Sequence, residues 1–261
     1  MKQALHVARF GPASAPDVVL LHGWAMHGGL WGGLIEDLAQ RYRLHVVDLP
    51  GHGYSETPIP DADIVAWAEA VLAVAPQRAI WIGWSLGGLI AQAAARARPD
   101  RVAALALLAS TPSFVVRPDW PSAVAVEQLT TFAAALSANA QATLSRFLSL
   151  QVRGAANAAS TLRALRTALA SRPMATPAAM QAGLRLLLET DLRAAWGDFD
   201  MPVVAMFGDR DTLIPVEAAQ GLLTLKLKLR VDLMAGAGHA PFWSHSRLVC
   251  DRLDRWLADA I

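Results

Sequence analysis

The chain has 261 residues, of which 54% are hydrophobic and 17% charged, a balance that fills a large buried core and excludes a disordered polymer. A formal net charge of +1, with a pI near 8.0, supplies no overall attraction to nucleic acid or to an anionic membrane surface. The single cysteine, Cys250, excludes an internal disulfide and reads as a small packing residue, and no apolar run approaches the roughly 20 residues that span a bilayer.

Residues 1–10 hold no apolar signal-peptide core, so a cytoplasmic protein is expected, as a monomer. Beyond them, apolar runs alternate with helical patterns, predicting an α/β fold with a mostly parallel central sheet and helices on both faces. Strands are expected around Val18–Leu21, Leu44–Val47, Ile80–Gly83, Val102–Leu108, Val203–Phe207 and Arg230–Met234. The first of these runs into His22-Gly23-Trp24, a turn placed to offer the Trp24 amide as half of an oxyanion hole. The Trp24 side chain would wall an acyl pocket or be plain core. Asp48-Leu49-Pro50-Gly51-His52-Gly53 reads as a tight structural loop rather than a phosphate cradle.

Gly83-Trp84-Ser85-Leu86-Gly87, between a buried strand and the helical run Leu86–Ala97, has the pattern of a nucleophile elbow. The alternative is a small-residue turn that merely packs helix on sheet. In the functional reading Ser85 is the nucleophile and the Leu86 amide the second oxyanion donor, at the positive end of the helix dipole. A serine hydroxyl needs an imidazole to take its proton and a carboxylate to orient that imidazole. The last two strands empty into loops that supply both. After Val203–Phe207 come Asp209 and Asp211, which compete for the acid. Asp211 is preferred, because Asp209 directly follows a turn glycine and is in place for a local turn bond. After Arg230–Met234, a glycine-rich loop presents His239 as the base. His22, His27, His45, His52 and His245, the last expected to begin the closing helix, have local explanations and no metal-ligand spacing, so neither a metal nor another cofactor is expected.

The alternation breaks between residues 113 and 192, read as a helical cap inserted into a hydrolase core formed by residues 1–112 and 193–261. Gly154 and the Pro173/Pro177 region mark its breaks. From Gln128 through Leu188 there is no acid, yet Arg146, Arg153, Arg163, Arg166, Arg172 and Arg185 occur. Arg146 with Arg153, and Arg163 with Arg166, would share helix faces and dock an acidic partner; the alternative is a solvated helix surface. Phe147, Leu148 and Leu150 would line the pocket or simply pack the cap.

His22-Gly23-Trp24, Asp48–Gly53, Gly83–Gly88, Arg146-Phe147-Leu148-Ser149-Leu150-Gln151, Thr190-Asp191-Leu192-Arg193 and Gly238–Phe242 together resemble the BioH family of pimeloyl-acyl-carrier-protein methyl ester esterases of biotin synthesis, within the α/β-hydrolase superfamily. The resemblance spans nearly the whole chain. It implies Ser85 as nucleophile, Asp211 rather than Asp209 as acid and His239 as base. Trp24, Leu86, Phe147, Leu148, Ser149, Leu150 and Gln151 would contact substrate. It also implies an acidic acyl carrier protein, bearing a phosphopantetheine-linked acyl ester, as partner. A general short-chain carboxylesterase or carbon–carbon bond hydrolase would use the same triad, and a ligand receptor would retain the fold without turnover.

Overall fold

The computed structural model describes residues 4–57, 62–155, 157–226 and 229–260; Met1–Gln3 of the N-terminal reading lie outside them. In chain order the elements are β1 (Val7–Phe10), β2 (Asp17–Leu21), α1 (Gly33–Leu38), β3 (Arg43–Val47), α2 (Ile64–Leu72), β4 (Ala79–Trp84), α3 (Leu86–Ala97) and β5 (Val102–Leu108). There follow α4 (Val126–Ala138), α5 (Ala140–Gln151), α6 (Ala158–Leu169) and α7 (Pro177–Glu189), then β6 (Val203–Gly208), α8 (Ala218–Leu225), β7 (Leu229–Met234), α9 (Pro241–Ser244) and α10 (Ser246–Ala260). No helix among the described residues is long and apolar enough to cross a membrane.

The strands form one sheet in the order β1-β3-β2-β4-β5-β6-β7. From β3 to β7 every pairing is parallel. Central strands such as Ala79-Ile80-Trp81-Ile82-Gly83-Trp84 are buried throughout, as continuous apolar runs covered on both faces must be. The sequence reading omits β1, which pairs antiparallel with β3, Val7 opposite Val47 and Phe10 opposite Leu44. Four residues long, half-exposed and carrying Arg9, it lacks the apolar density that marks its neighbours. His245 follows α9, its amide bonded to the Pro241 carbonyl, and α10 begins one residue later.

Helices α4 to α7 lie between β5 and β6. Asn139 separates α4 from α5, its side chain accepting from the Ala142 amide at 3.0 Å, a break the Ala-rich sequence conceals. Thr176 caps α7 ahead of Pro177. The end of α6 and the link to α7 are tied to the core at three points: His27 Nε2 donates to the Leu169 carbonyl, the Thr176 amide donates to the Gly51 carbonyl, and Arg172 reaches Asp48.

Candidate active site

Ser85 sits between β4 and α3 with φ 52° and ψ −118°, a left-handed conformation that a non-glycine residue adopts at a cost in strain. The crossing is so tight that a Cβ on Gly83 would come within 2.4 Å of Gly88 Cα, and one on Gly87 within 2.1 Å of the Leu21 carbonyl oxygen. Only glycine fits either position. The turn is fastened on both sides of the serine: the Ser85 amide donates to the Leu108 carbonyl at 2.9 Å, and Ser110 Oγ donates to the Ser85 carbonyl at 2.8 Å. Ser110, buried at the end of β5 and packed against Gly88, is a support that sequence reasoning missed. Its only signal is a small polar residue following a strand. Leu86 opens α3, so its N–H has no acceptor within the helix and lies at the positive end of the dipole.

Asp211 and His239 are brought together from the loops after β6 and β7. His239 Nδ1 lies 2.7 Å from Asp211 Oδ2, and both side chains are almost wholly buried. The other carboxylate oxygen, Oδ1, accepts from the Leu213 and Ile214 amides at 2.8 and 2.9 Å. With both oxygens engaged, the carboxylate is fixed in place and holds Nδ1–H of the imidazole, which directs Nε2 away from the acid. Asp209 serves elsewhere: its Oδ1 accepts from the Gly236 amide at 2.7 Å, bracing the turn after β7. The residue before the serine, Trp84, donates its indole N–H to the His239 carbonyl at 2.9 Å, which ties the elbow to the histidine loop. Ser85 Oγ and His239 Nε2 are not hydrogen-bonded to each other; without substrate such bonds are often long.

The turn after β2 is held by His22, whose Nδ1–H donates to the Gly23 carbonyl while Nε2 accepts from the Leu49 amide. That pattern requires a neutral ring. Burial, with His52 alongside, pushes the His22 pKa down to about 3, and burial pushes His52 down to about 4. Asp48 beside them is held below the usual carboxylate range. Burial alone would raise it, but His22, the Tyr54 and Gly28 amides and Arg172 outweigh that penalty. With His22 neutral at ordinary pH, the amides and the guanidinium are what hold the charge. Trp24 is buried, its indole N–H donating to the Met180 carbonyl of α7 at 2.7 Å, its ring edge-on to Phe132 and Phe147.

Above this turn lies a cavity of about 830 Å³ bounded by α4, α5, α7 and the loop after Asp211. Its walls include Trp24, Phe132, Phe147, Leu150, Leu184 and Leu213. Neither Ser85 nor His239 is a wall residue; Trp24, in the turn after β2, and Thr212 and Leu213, which follow Asp211 in the chain, are wall residues. The helical period divides the Phe147–Gln151 segment. Phe147 and Leu150 face the cavity, as does Arg146, whereas Leu148 faces a separate shallow groove shared with Leu169 and Arg172. Ser149 turns its hydroxyl back to the Ser145 carbonyl. Gln151 is buried, and its main-chain carbonyl accepts from the His239 amide at 3.0 Å.

Of the six arginines in the acid-free stretch, Arg172 is engaged with Asp48 and Arg185 with Glu189. Arg146, Arg153, Arg163 and Arg166 are exposed and make no ion pair among the described residues. Arg146 and Arg153 border the cavity, Arg166 borders the shallow groove, and Arg163 borders neither. The Thr190–Arg193 motif has a structural role: Arg193 bridges Asp191 and Asp119.

A sequence profile of the alpha/beta hydrolase fold matches residues 16–246. The chain belongs to the α/β-hydrolase family. A family member from Xanthomonas oryzae pv. oryzae, named pimeloyl-[acyl-carrier protein] methyl ester esterase, is 44% identical over 246 residues, covering 93% of this chain and 95% of its own. A protein of the same name from Xylella fastidiosa is 43% identical over 256 residues, covering 97% and 98%. Among solved α/β-hydrolase structures, an esterase from Exiguobacterium antarcticum superposes with a TM-score of 0.87 at 20% identity, covering 97% of this chain and 95% of its own. A bromoperoxidase from Bacillus anthracis gives the same four values, so the likeness to solved structures speaks for the fold alone.

Proposed function

We propose that this chain is a serine carboxylesterase that hydrolyses the methyl ester of pimeloyl-acyl carrier protein, releasing methanol and free pimeloyl-acyl carrier protein, in biotin synthesis. The observation that carries this reading is identity of 43–44% to esterases of that name over 93–97% of the chain, because that span takes in the cap helices as well as the core. The buried Asp211–His239 pair beside the Ser85 elbow supplies the matching chemistry.

Ser85 attacks the ester carbonyl as His239 Nε2 accepts its proton, and Asp211 steadies the imidazolium through Nδ1–H. The amides of Leu86 and Trp24 stabilise the oxyanion of the tetrahedral intermediate. The protonated histidine gives its proton to the departing methoxide, and methanol leaves. Water, deprotonated by the same histidine, then hydrolyses the acyl-enzyme to the free carboxylate. These steps need no metal or organic cofactor, and a cytoplasmic monomer suffices for them. The acyl chain lies in the cavity against Phe147 and Leu150, and an ester entering from there passes Trp24 to reach Ser85. Arg146, Arg153, Arg163 and Arg166 meet the acidic carrier.

The test is turnover of carrier-bound pimeloyl methyl ester by the wild-type protein and by Ser85→Ala. Wild-type turnover with methanol release, lost in the variant while its thermal unfolding midpoint is kept, is the expected result. Turnover of p-nitrophenyl esters but not of the carrier-bound ester would favour a general carboxylesterase, and substantial activity in Ser85→Ala would reject the serine mechanism.

A further inference from the structure

The catalytic scheme leaves Trp84 without a role, although it is buried directly before the nucleophile. Its indole N–H donates to the His239 carbonyl, and its ring meets Phe242 edge-on at 5.0 Å. A buried indole does not find a partner automatically in this protein: Trp31, Trp67 and Trp81 keep their Nε1 atoms buried with no hydrogen bond. On its other side, His239 donates its main-chain N–H to the carbonyl of Gln151, the last residue of α5. The peptide groups before and after the His239 Cα are therefore each held by a different element, one by the nucleophile's own strand and one by the cap. The imidazole itself is held by a third, through Asp211.

Resting on the assignment of Ser85 and His239 as nucleophile and base, we infer that Trp84 is a positioning residue for the base. Its indole sets how far the histidine backbone stands from the serine, and the α5 carbonyl fixes the same loop from the cap side. Packing alone would require only a large apolar ring at position 84. The positioning role requires the N–H, which phenylalanine lacks. The second anchor can be disturbed separately, because a Cβ on Gly238 would come within 2.7 Å of the Gln151 carbonyl oxygen, driving that carbonyl away from the His239 amide.

The experiment measures Trp84→Phe and Gly238→Ala for kcat and KM on p-nitrophenyl butyrate, and for the rate at which a fluorophosphonate labels Ser85. Labelling also needs the base. Trp84→Phe is expected to lower kcat about tenfold, the loss of one aligning hydrogen bond, with KM within about twofold and labelling slowed by the same factor. Gly238→Ala is expected to reduce kcat and labelling in parallel by disturbing the Gln151 anchor, and if Trp84→Phe fails to fold, Trp84→Met, which likewise lacks the N–H, takes its place with the same expected losses. Unchanged kcat and labelling in a folded variant, or a loss confined to KM, would overturn the positioning role. Ser85→Ala measured alongside separates the two readings: residual turnover there fails the triad itself, whereas an inactive Ser85→Ala beside a fully active Trp84→Phe fails the positioning role alone.

Discussion

Two aspartates separated by one residue do different work, and the difference lies in what each oxygen meets. Asp211 spends one oxygen on two backbone amides and the other on His239, whereas Asp209 supports the Gly236 turn from a more exposed position. Asp211→Asn keeps the shape, but an amide in place of the carboxylate favours the wrong imidazole tautomer, so kcat is expected to fall about 10³- to 10⁴-fold with KM little changed. Asp209→Asn should leave kcat within about threefold of wild type, since its side-chain oxygen still accepts from Gly236. Steady-state kinetics on p-nitrophenyl butyrate with both variants reads the contrast directly, and equal losses would contradict the division of labour. The sequence pointed to Ser85 and His239 because each stands in a local pattern of strand, small residues and turn. It ranked the two acids but could not exclude Asp209, because both occupy one turn and the choice depends on a loop 28 residues away. Ser110 was illegible for the same reason, its partner lying 25 residues back in the chain.

The link between α6 and α7 shows how one ion pair seats a whole segment. Arg172 Nη1 meets both oxygens of Asp48 at 2.9 Å, with the guanidinium 5.3 Å from the centre of the Tyr54 ring, and the Asp48 side chain is fully buried. Removing one partner of such a pair strands a buried charge. Arg172→Met is therefore expected to cost about 3 kcal/mol in urea unfolding, the low end of the usual range, because the Gly28 and Tyr54 amides still serve Asp48. Adding Asp48→Asn should recover part of that loss, whereas additive losses would mean that the two side chains do not act as a pair. Beneath the same loop, His22 and His52 are neutral in the fold down to pH about 3 and about 4. Unfolded histidines take up protons below about pH 6.5. Stability is thus fully present above that pH and is lost as the pH falls toward 4, by up to about 1.4 kcal/mol per pH unit for each histidine. Urea midpoints at pH 7, 6 and 5 should decline accordingly, and His52→Phe should flatten the decline; an unchanged slope would remove His52 as a cause. None of this clasp was readable from the sequence, where the Asp48 loop and Arg172 stand 124 residues apart and Arg172 looked like one more basic residue of the cap. The central strands were readable because burial on both faces writes itself as an unbroken apolar run. The edge strand β1 and the break at Asn139 were not, because a half-exposed strand and an Ala-rich helix junction leave no such mark.

At the scale of the molecule, a net charge of +1 hides an uneven distribution. Residues 128–188 carry six arginines and no acid, and with Arg172 and Arg185 paired, four cations without an ion pair among the described residues remain on or beside helices α5 and α6, two of them beside the cavity. Screening limits the reach of such charges to about 10 Å at 0.1 M salt. A distant balancing acid on the core therefore does little to neutralise them for a partner in contact with the cap. An acidic carrier docking there gains encounter rate and orientation from the local field, while a neutral short ester gains nothing. Arg163 gives the cleanest test, because it lies outside the cavity wall that Arg146 and Arg153 border. Arg163→Glu should lower kcat/KM for the carrier-bound ester about fivefold at low ionic strength, as expected for reversing one exposed charge at an interface. The deficit should shrink as salt is raised to roughly 0.5 M, where the screening length approaches a contact distance. Turnover of p-nitrophenyl butyrate should stay at the wild-type rate throughout. A deficit that persists at high salt, or that appears equally on the small ester, would trace the effect to a disturbed helix α6 and remove the cap's charge from recognition.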